Sequence, residues 1–140
     1  KAAVERAVDA AKARGAKRAV LLPVSAPFHC ALMRPAAERL AERLANVAIA
    51  TPQIEVLNNV DVAVRTAPDE IRDALVRQAF SPVRWIETVQ EMGRRGMSHV
   101  IECGPGKVLA GMTKRIAKEV EGGSAHDAAS LEQSIAAVRA

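Results

Sequence analysis

Residues 98–116, SHVIECGPGKVLAGMTKRI, contain the change of period that decides the fold class. Val100 and Ile101 lie in a short apolar run that suits a buried strand. Gly104-Pro105-Gly106 then breaks the chain, and Leu109, Met112 and Ile116 recur at helical spacing. A strand that turns sharply into an amphipathic helix is the repeating step of a layered α/β domain.

Working outward, the same grammar recurs. Val83, Ile86, Val89 and Met92 predict a helix opened by Ser81-Pro82 and closed at Gly96. Before it, Thr66 as N-cap, Pro68 in the first turn and Asp69-Glu70 at the positive helix end predict a helix carrying Ile71, Ala74, Leu75 and Gln78 on one face. Residues 54–64, IEVLNNVDVAV, alternate at period two with a break at Asn58-Asn59, a short strand or hairpin. Pro35 opens a helix with Ala37, Leu40, Ala41 and Leu44 that fades near Asn46, and a helix over 2–14 ends at Gly15. Between these two helices, AVLLPV at 19–24 is apolar on both faces, as in a strand buried within a sheet. Helices on a largely parallel sheet are therefore expected, with 121–140 as a flexible tail that has room for a short helix at 131–138.

Composition narrows the function. The chain has 140 residues, 49% of them apolar, enough for a core, and no apolar run nears the ~20 residues of a membrane span. The net charge of +4 is scattered, and two phenylalanines and one tryptophan offer little for base stacking, so nucleic acid is not an expected partner. Cys30 and Cys103 lie far apart in apolar surroundings, which reads as two small buried hydrophobes in a reducing, cytoplasmic setting. No His, Cys, Asp or Glu pair has zinc-ligand spacing, and neither metal nor cofactor is expected.

His29 stands just past the end of the 19–24 strand, in SAPFHC, where α/β sheets collect chemistry. An imidazole there can move protons for a hydroxyl nucleophile, or it can be structural; the pattern leaves both open. Gln78, two turns after Ile71 on the core-facing side, either satisfies a backbone group or belongs to a polar site. GPGK at 104–107 reads as a tight turn or, more weakly, a phosphate cradle. His99 and His126 suggest no role.

Together VSAPFHCALM at 24–33, LNNVD at 57–61, IRDALVRQAFSPVRW at 71–85 and ECGPGKVLAGMTKR at 102–115 resemble the C-terminal part of the bacterial malonyl-CoA:acyl carrier protein transacylases, through about residues 1–118. The resemblance implies an α/β-hydrolase-like acyltransferase core with a ferredoxin-like insert, of which residues 1–22 would be the end and 23–120 the closing part of the large subdomain. It implies that a serine in a G-H-S-x-G elbow takes malonyl from malonyl-CoA and passes it to the phosphopantetheine thiol of acyl carrier protein. His29 would be the base, the Gln78 main-chain carbonyl would orient it, and Phe28 would narrow the acyl pocket in favour of malonyl.

No G-H-S-x-G is present, nor the family's carboxylate-binding arginine or oxyanion loop. A Ser-His site acts as a unit, so the chain alone is expected to be inactive and to need an N-terminal part of the same protein. Without it, uncovered sheet edges and helix faces are expected to leave the fragment marginal or self-associating. Two other readings of the segment are an acyltransferase domain of a polyketide synthase, and a non-catalytic module gripping acidic carrier protein through Arg72, Arg77 and Arg115.

Overall fold

A computed structural model describes residues 1–139. Helix α1 spans Ala2–Ala13, and a 3-10 turn at Ala31–Met33 leads into α2, Arg34–Ala45. Strands β1, Leu57–Asn58, and β2, Ala63–Val64, form a small hairpin followed by α3, Pro68–Phe80, and α4, Trp85–Arg94. The last stretch is β3, His99–Cys103; α5, Val108–Ile116; β4, Glu121–Ala125; and α6, Ala128–Arg139.

The α/β class holds, and its clearest expression is this last stretch. β3 and β4 pair in parallel from His99 opposite Glu121 to Cys103 opposite Ala125. A parallel pair needs a crossover, which α5 supplies. Val89, Ala117 and Val120 are buried, with Trp85, Val100 and Ile116 packed on them, so the core lies where α4, α5 and β3 meet. Ala74 of α3 and Ala37 of α2 are buried as well, and these two helices pack together.

The segment expected as a flexible tail is instead β4 and α6. Gly122-Gly123-Ser124 has poor strand propensity, which is why the pattern reads as tail. The two glycines are there because neighbours crowd the strand from both faces. A Cβ on Gly122 would collide with the Ala110 carbonyl of α5, and one on Gly123 would come within 2.7 Å of Ile101 Cδ1 and 3.4 Å of Ser134 Oγ of α6. Successive strand residues face opposite ways, so α5 and α6 cover opposite faces of β4. Asp127 caps α6, its Oδ1 accepting the Ser130 N–H at 2.8 Å, and Ser134 Oγ donates to the Ser124 carbonyl at 3.1 Å.

Other expectations change too. Residues 19–24 pair with no strand among the described residues, and the sheet is not one parallel layer but two separate pairs, antiparallel β1–β2 and parallel β3–β4. A run apolar on both faces needs two neighbours to become a central strand, and here Leu22 and Val24 remain 73% and 71% exposed. α3 is capped by Ala67 rather than Thr66, without a side-chain bond. Ser81-Pro82 does not open α4: Ser81 closes α3, and α4 begins at Trp85 with its buried side formed by Thr88 and Val89 while Ile86 faces solvent. Cys30 is half-buried and Cys103 exposed, so neither is the buried hydrophobe expected.

Close approach at β4 makes a paired test. Gly122→Ala forces backbone apart and is expected to cost about 1–3 kcal/mol, read as a lower urea midpoint. Gly111→Ala, in α5 with open space around it, is expected to add roughly 0.5–1 kcal/mol. Equal effects of the two would remove the close-packing explanation of Gly122.

Candidate functional site

Pro27 and the turn behind it set the course of the His29 loop. Phe28 N–H donates to the Ala26 carbonyl at 2.9 Å, and the Cys30 thiol donates to the Pro27 carbonyl at 3.2 Å, folding 27–30 back on itself. His29 in the middle takes φ +56°, the left-handed region that costs a residue with a Cβ about 1–2 kcal/mol. That conformation turns the imidazole toward the end of α3. His29 Nδ1 lies 3.1 Å from the Gln78 main-chain oxygen.

The chemistry of this contact is decided by its acceptor. A carbonyl oxygen cannot donate, so the bond requires the proton on Nδ1, and in the neutral ring Nε2 is then the basic nitrogen. Nε2 makes no hydrogen bond among the described residues. The acceptor is available for a reason written in the chain: Gln78 is in the last turn of α3, and the residue four positions on is Pro82, which has no N–H to give it. Arg34, at the start of α2, stacks its guanidinium 4.6 Å from the Phe80 ring centroid and ties together the same two segments.

The Gln78 side chain is used as well. Its Oε1 accepts the Asn59 N–H at 3.2 Å, so this amide satisfies a backbone group, while the main-chain oxygen of the same residue meets His29. Phe28, beside His29, is 57% exposed and packs into no core. An apolar groove of about 830 Å³, lined by Val4, Val20, Leu22, Val24 and Pro27, runs up to this loop. A cleft of about 480 Å³ between β4, α5 and α6 contains none of His29, Gln78 and Phe28.

Below the site, Asp61 is clamped. Its Oδ2 accepts from Arg65 Nη2 at 2.9 Å and Arg77 Nη2 at 3.0 Å, while Oδ1 is buried without a partner among the described residues. Burial pushes the Asp61 carboxyl up, but the hydrogen bonds from Arg65 and Arg77 and then their charges outweigh it and hold it below the ordinary carboxylate value. Arg77 also holds Asp73 at 2.6 Å, and Arg72 donates to the Leu44 and Val47 carbonyls at the end of α2. Both arginines are thus committed inside the chain rather than offered to a partner; Arg115 is exposed. At the GPGK turn the Glu102 carboxylate accepts the Ala110 N–H at 2.9 Å in the first turn of α5, taking one of the donors that a phosphate cradle would use.

Sequence reading gave Asn59 only a turn and Pro82 only a helix start, and gave Thr88 no role. The signal for Pro82 was its spacing of four from Gln78. For Asn59 and Thr88 there was none, since their meeting at 3.2 Å is 29 residues apart in sequence.

No family model matches the chain. It is 58% identical over 131 residues to a malonyl CoA-acyl carrier protein transacylase of Haemophilus influenzae, covering 94% of this chain and 42% of that protein. A transacylase of the same description from Bacillus subtilis is 40% identical over 132 residues, again 94% of the chain and 42% of the relative. Among solved structures, an acyl-carrier-protein S-malonyltransferase from Burkholderia pseudomallei superposes with TM-score 0.90 at 57% identity over 97% of the chain and 44% of that protein. A malonyl-transacylase in complex with its type II PKS acyl-carrier protein gives 0.91 at 50% identity over 98% and 44%. The chain spans about two fifths of the length of these relatives. Fold and sequence together define it as an α/β segment of the kind these relatives contain. It belongs to the malonyl CoA-acyl carrier protein transacylase family, as a C-terminal portion of it. Among the described residues no helix is long and apolar enough to cross a membrane.

A prediction follows from Asp61. Because its folded value is depressed, its contribution to stability is fully present above the ordinary carboxylate value of about 4 and disappears as pH falls through the lower folded value. Asp61→Asn is expected to melt below the parent at pH 7 and to converge with it under acid. A parallel pair of melting curves from pH 7 to pH 2 would contradict this.

Proposed function

We propose that the protein of which this chain is part transfers malonyl from malonyl-CoA to the phosphopantetheine thiol of acyl carrier protein in fatty-acid biosynthesis, by a Ser-His covalent mechanism. The observation that carries the proposal is the His29 Nδ1 to Gln78 carbonyl bond of 3.1 Å, found in a chain 58% identical to a named transacylase. With Nδ1 holding its proton against the carbonyl, His29 Nε2 takes the proton of a serine hydroxyl as that oxygen adds to the thioester carbonyl. The C–S bond breaks, and CoA leaves as the thiol with the proton from Nε2. In the second half Nε2 takes the proton of the phosphopantetheine thiol, the sulfur attacks the malonyl ester, and the serine oxygen recovers a proton as it leaves. Gln78 does by a main-chain dipole what a carboxylate does in other triads: it orients the ring and stabilises the imidazolium.

The serine, the oxyanion donors and the arginine for the malonyl carboxylate lie on the part of the family protein this chain does not span. Residues 1–22 close a ferredoxin-like subdomain and 23–120 belong to the large subdomain, with β4 and α6 extending it. Phe28, exposed beside His29, forms a wall of the acyl pocket whose volume disfavours a 2-methyl branch. The setting is cytoplasmic, which suits two free cysteines. A polyketide role is the second reading, favoured by a structural relative solved with a type II PKS acyl-carrier protein. A purely binding role is disfavoured, since Arg72 and Arg77 are held by internal partners.

In the full-length protein, His29→Ala is expected to lower malonyl transfer from malonyl-CoA to acyl carrier protein by about 10²–10⁴-fold, and the 140-residue chain alone to give none above background. Transfer by the isolated chain, or full activity of the variant, would refute the mechanism. Phe28→Ser is expected to raise methylmalonyl relative to malonyl transfer by roughly tenfold, measured as the ratio of kcat/KM values; an unchanged ratio would take Phe28 out of the pocket.

A further inference from the structure

The last turn of a helix frays, and Gln78, which holds His29, sits in such a turn with Pro82 denying it the next hydrogen bond. Something else must keep that carbonyl in place. The loop between β1 and β2 makes the contacts required. Two consecutive residues of α3 are gripped by it: Arg77 by Asp61 Oδ2 at 3.0 Å, and Gln78 through its Oε1 by the Asn59 N–H at 3.2 Å.

Asn59 is in turn fixed to α4 by its other polar groups. Its carbonyl accepts the Arg84 N–H at 3.1 Å. Its Oδ1 lies 3.2 Å from Thr88 Oγ1, whose single proton is shared with the Arg84 carbonyl at 2.9 Å. Thr88 is 2% exposed, so these bonds are shielded from water. The loop is held in a demanding shape, with the Val62 N–H on the Asn58 carbonyl at 2.9 Å and Val62 at φ +55°, a left-handed conformation that a β-branched residue adopts only when its surroundings compel it. A strained, three-way-anchored loop that ends on the side chain of Gln78 has a consequence for the other end of that residue.

We propose that Asn59, anchored by Thr88, is a positioning residue for His29: it holds the Gln78 side chain and thereby keeps the Gln78 main-chain carbonyl on His29 Nδ1. The role rests on the reading of His29 as the base, and it is separable from it, because the ring's tautomer can be observed without turnover. Asn59 touches no reacting atom. Its effect is to keep Nε2 the unprotonated nitrogen.

The test uses the full-length protein with three variants. Thr88→Val removes the hydroxyl at nearly constant volume, Thr88→Ser returns it, and Gln78→Met deletes the Oε1 acceptor while leaving the main-chain carbonyl. Nitrogen-15 NMR of labelled histidine reads the protonated ring nitrogen of His29, and steady-state transfer to acyl carrier protein reads kcat and KM separately. Thr88→Val and Gln78→Met are expected to raise the Nε2–H tautomer and to lower kcat by about tenfold with KM within about twofold, and Thr88→Ser to restore both. Should Thr88→Val not fold, Gln78→Met alone carries the comparison. An unchanged tautomer in Gln78→Met overturns the proposal, as does a loss confined to KM or a Thr88→Ser variant as impaired as Thr88→Val. A shifted tautomer with undiminished kcat leaves the positioning intact and instead refutes His29 as the base.

Discussion

The hydrogen bond from His29 Nδ1 to the Gln78 carbonyl joins segments 49 residues apart, and much of the first eighty residues is arranged so that it can form. On one side, the Cys30 thiol and the left-handed His29 backbone bend the loop toward α3. On the other, α3 must stop where it does, with Pro82 leaving the carbonyl unclaimed. The distance between the two sides is set by the packing of α2 on α3. Arg72 fastens that packing by donating to the Leu44 and Val47 carbonyls, so a side chain on one helix closes the exposed end of the other.

Charge on this chain is mostly spent locally. Arg77 bridges Asp73 and Asp61, Arg84 pairs with Glu87, and Arg95 with both Glu91 and Glu55. Pairs as exposed as Arg84–Glu87 contribute little to stability. The Asp61 cluster differs because it is largely shielded, with 18% of the Asp61 side chain exposed, and because it ties the hairpin loop to α3. Such pairs leave the net charge of +4 unchanged, so it is the placement of the unpaired charges that bears on partners.

The apolar surface has its own pattern. Leu22, Val24, Phe28 and Leu32 are all more than half exposed and bracket the His29 loop, and the groove beside them is apolar. The β3–α5–β4–α6 unit shares its buried cluster with Val89 and Trp85 of α4 and leaves Val108 and Val138 more than half exposed as well. The chain spans about two fifths of its relatives' length, and it leaves apolar residues open to solvent from Val20 and Leu22 through to Leu131 and Val138.

Local rules read from the chain were enough for the helices over 2–13, 34–45 and 68–80, for the strand-turn-helix of 98–116, for the hairpin near 57–64 and for an inward Gln78, because each depends on periodicity or on a proline or glycine within a few residues. The family resemblance also lay in contiguous motifs. Tertiary structure alone decided the rest. Whether AVLLPV becomes a strand depends on neighbours supplying hydrogen bonds, and Gly122-Gly123 reads as tail until α5 and α6 are placed against it. The pairing of His29 with Gln78, and of Gln78 with Asn59 and Thr88, is made of single polar contacts between remote segments. Such contacts leave no period in the sequence, since one correctly placed donor satisfies one acceptor wherever the fold brings them together.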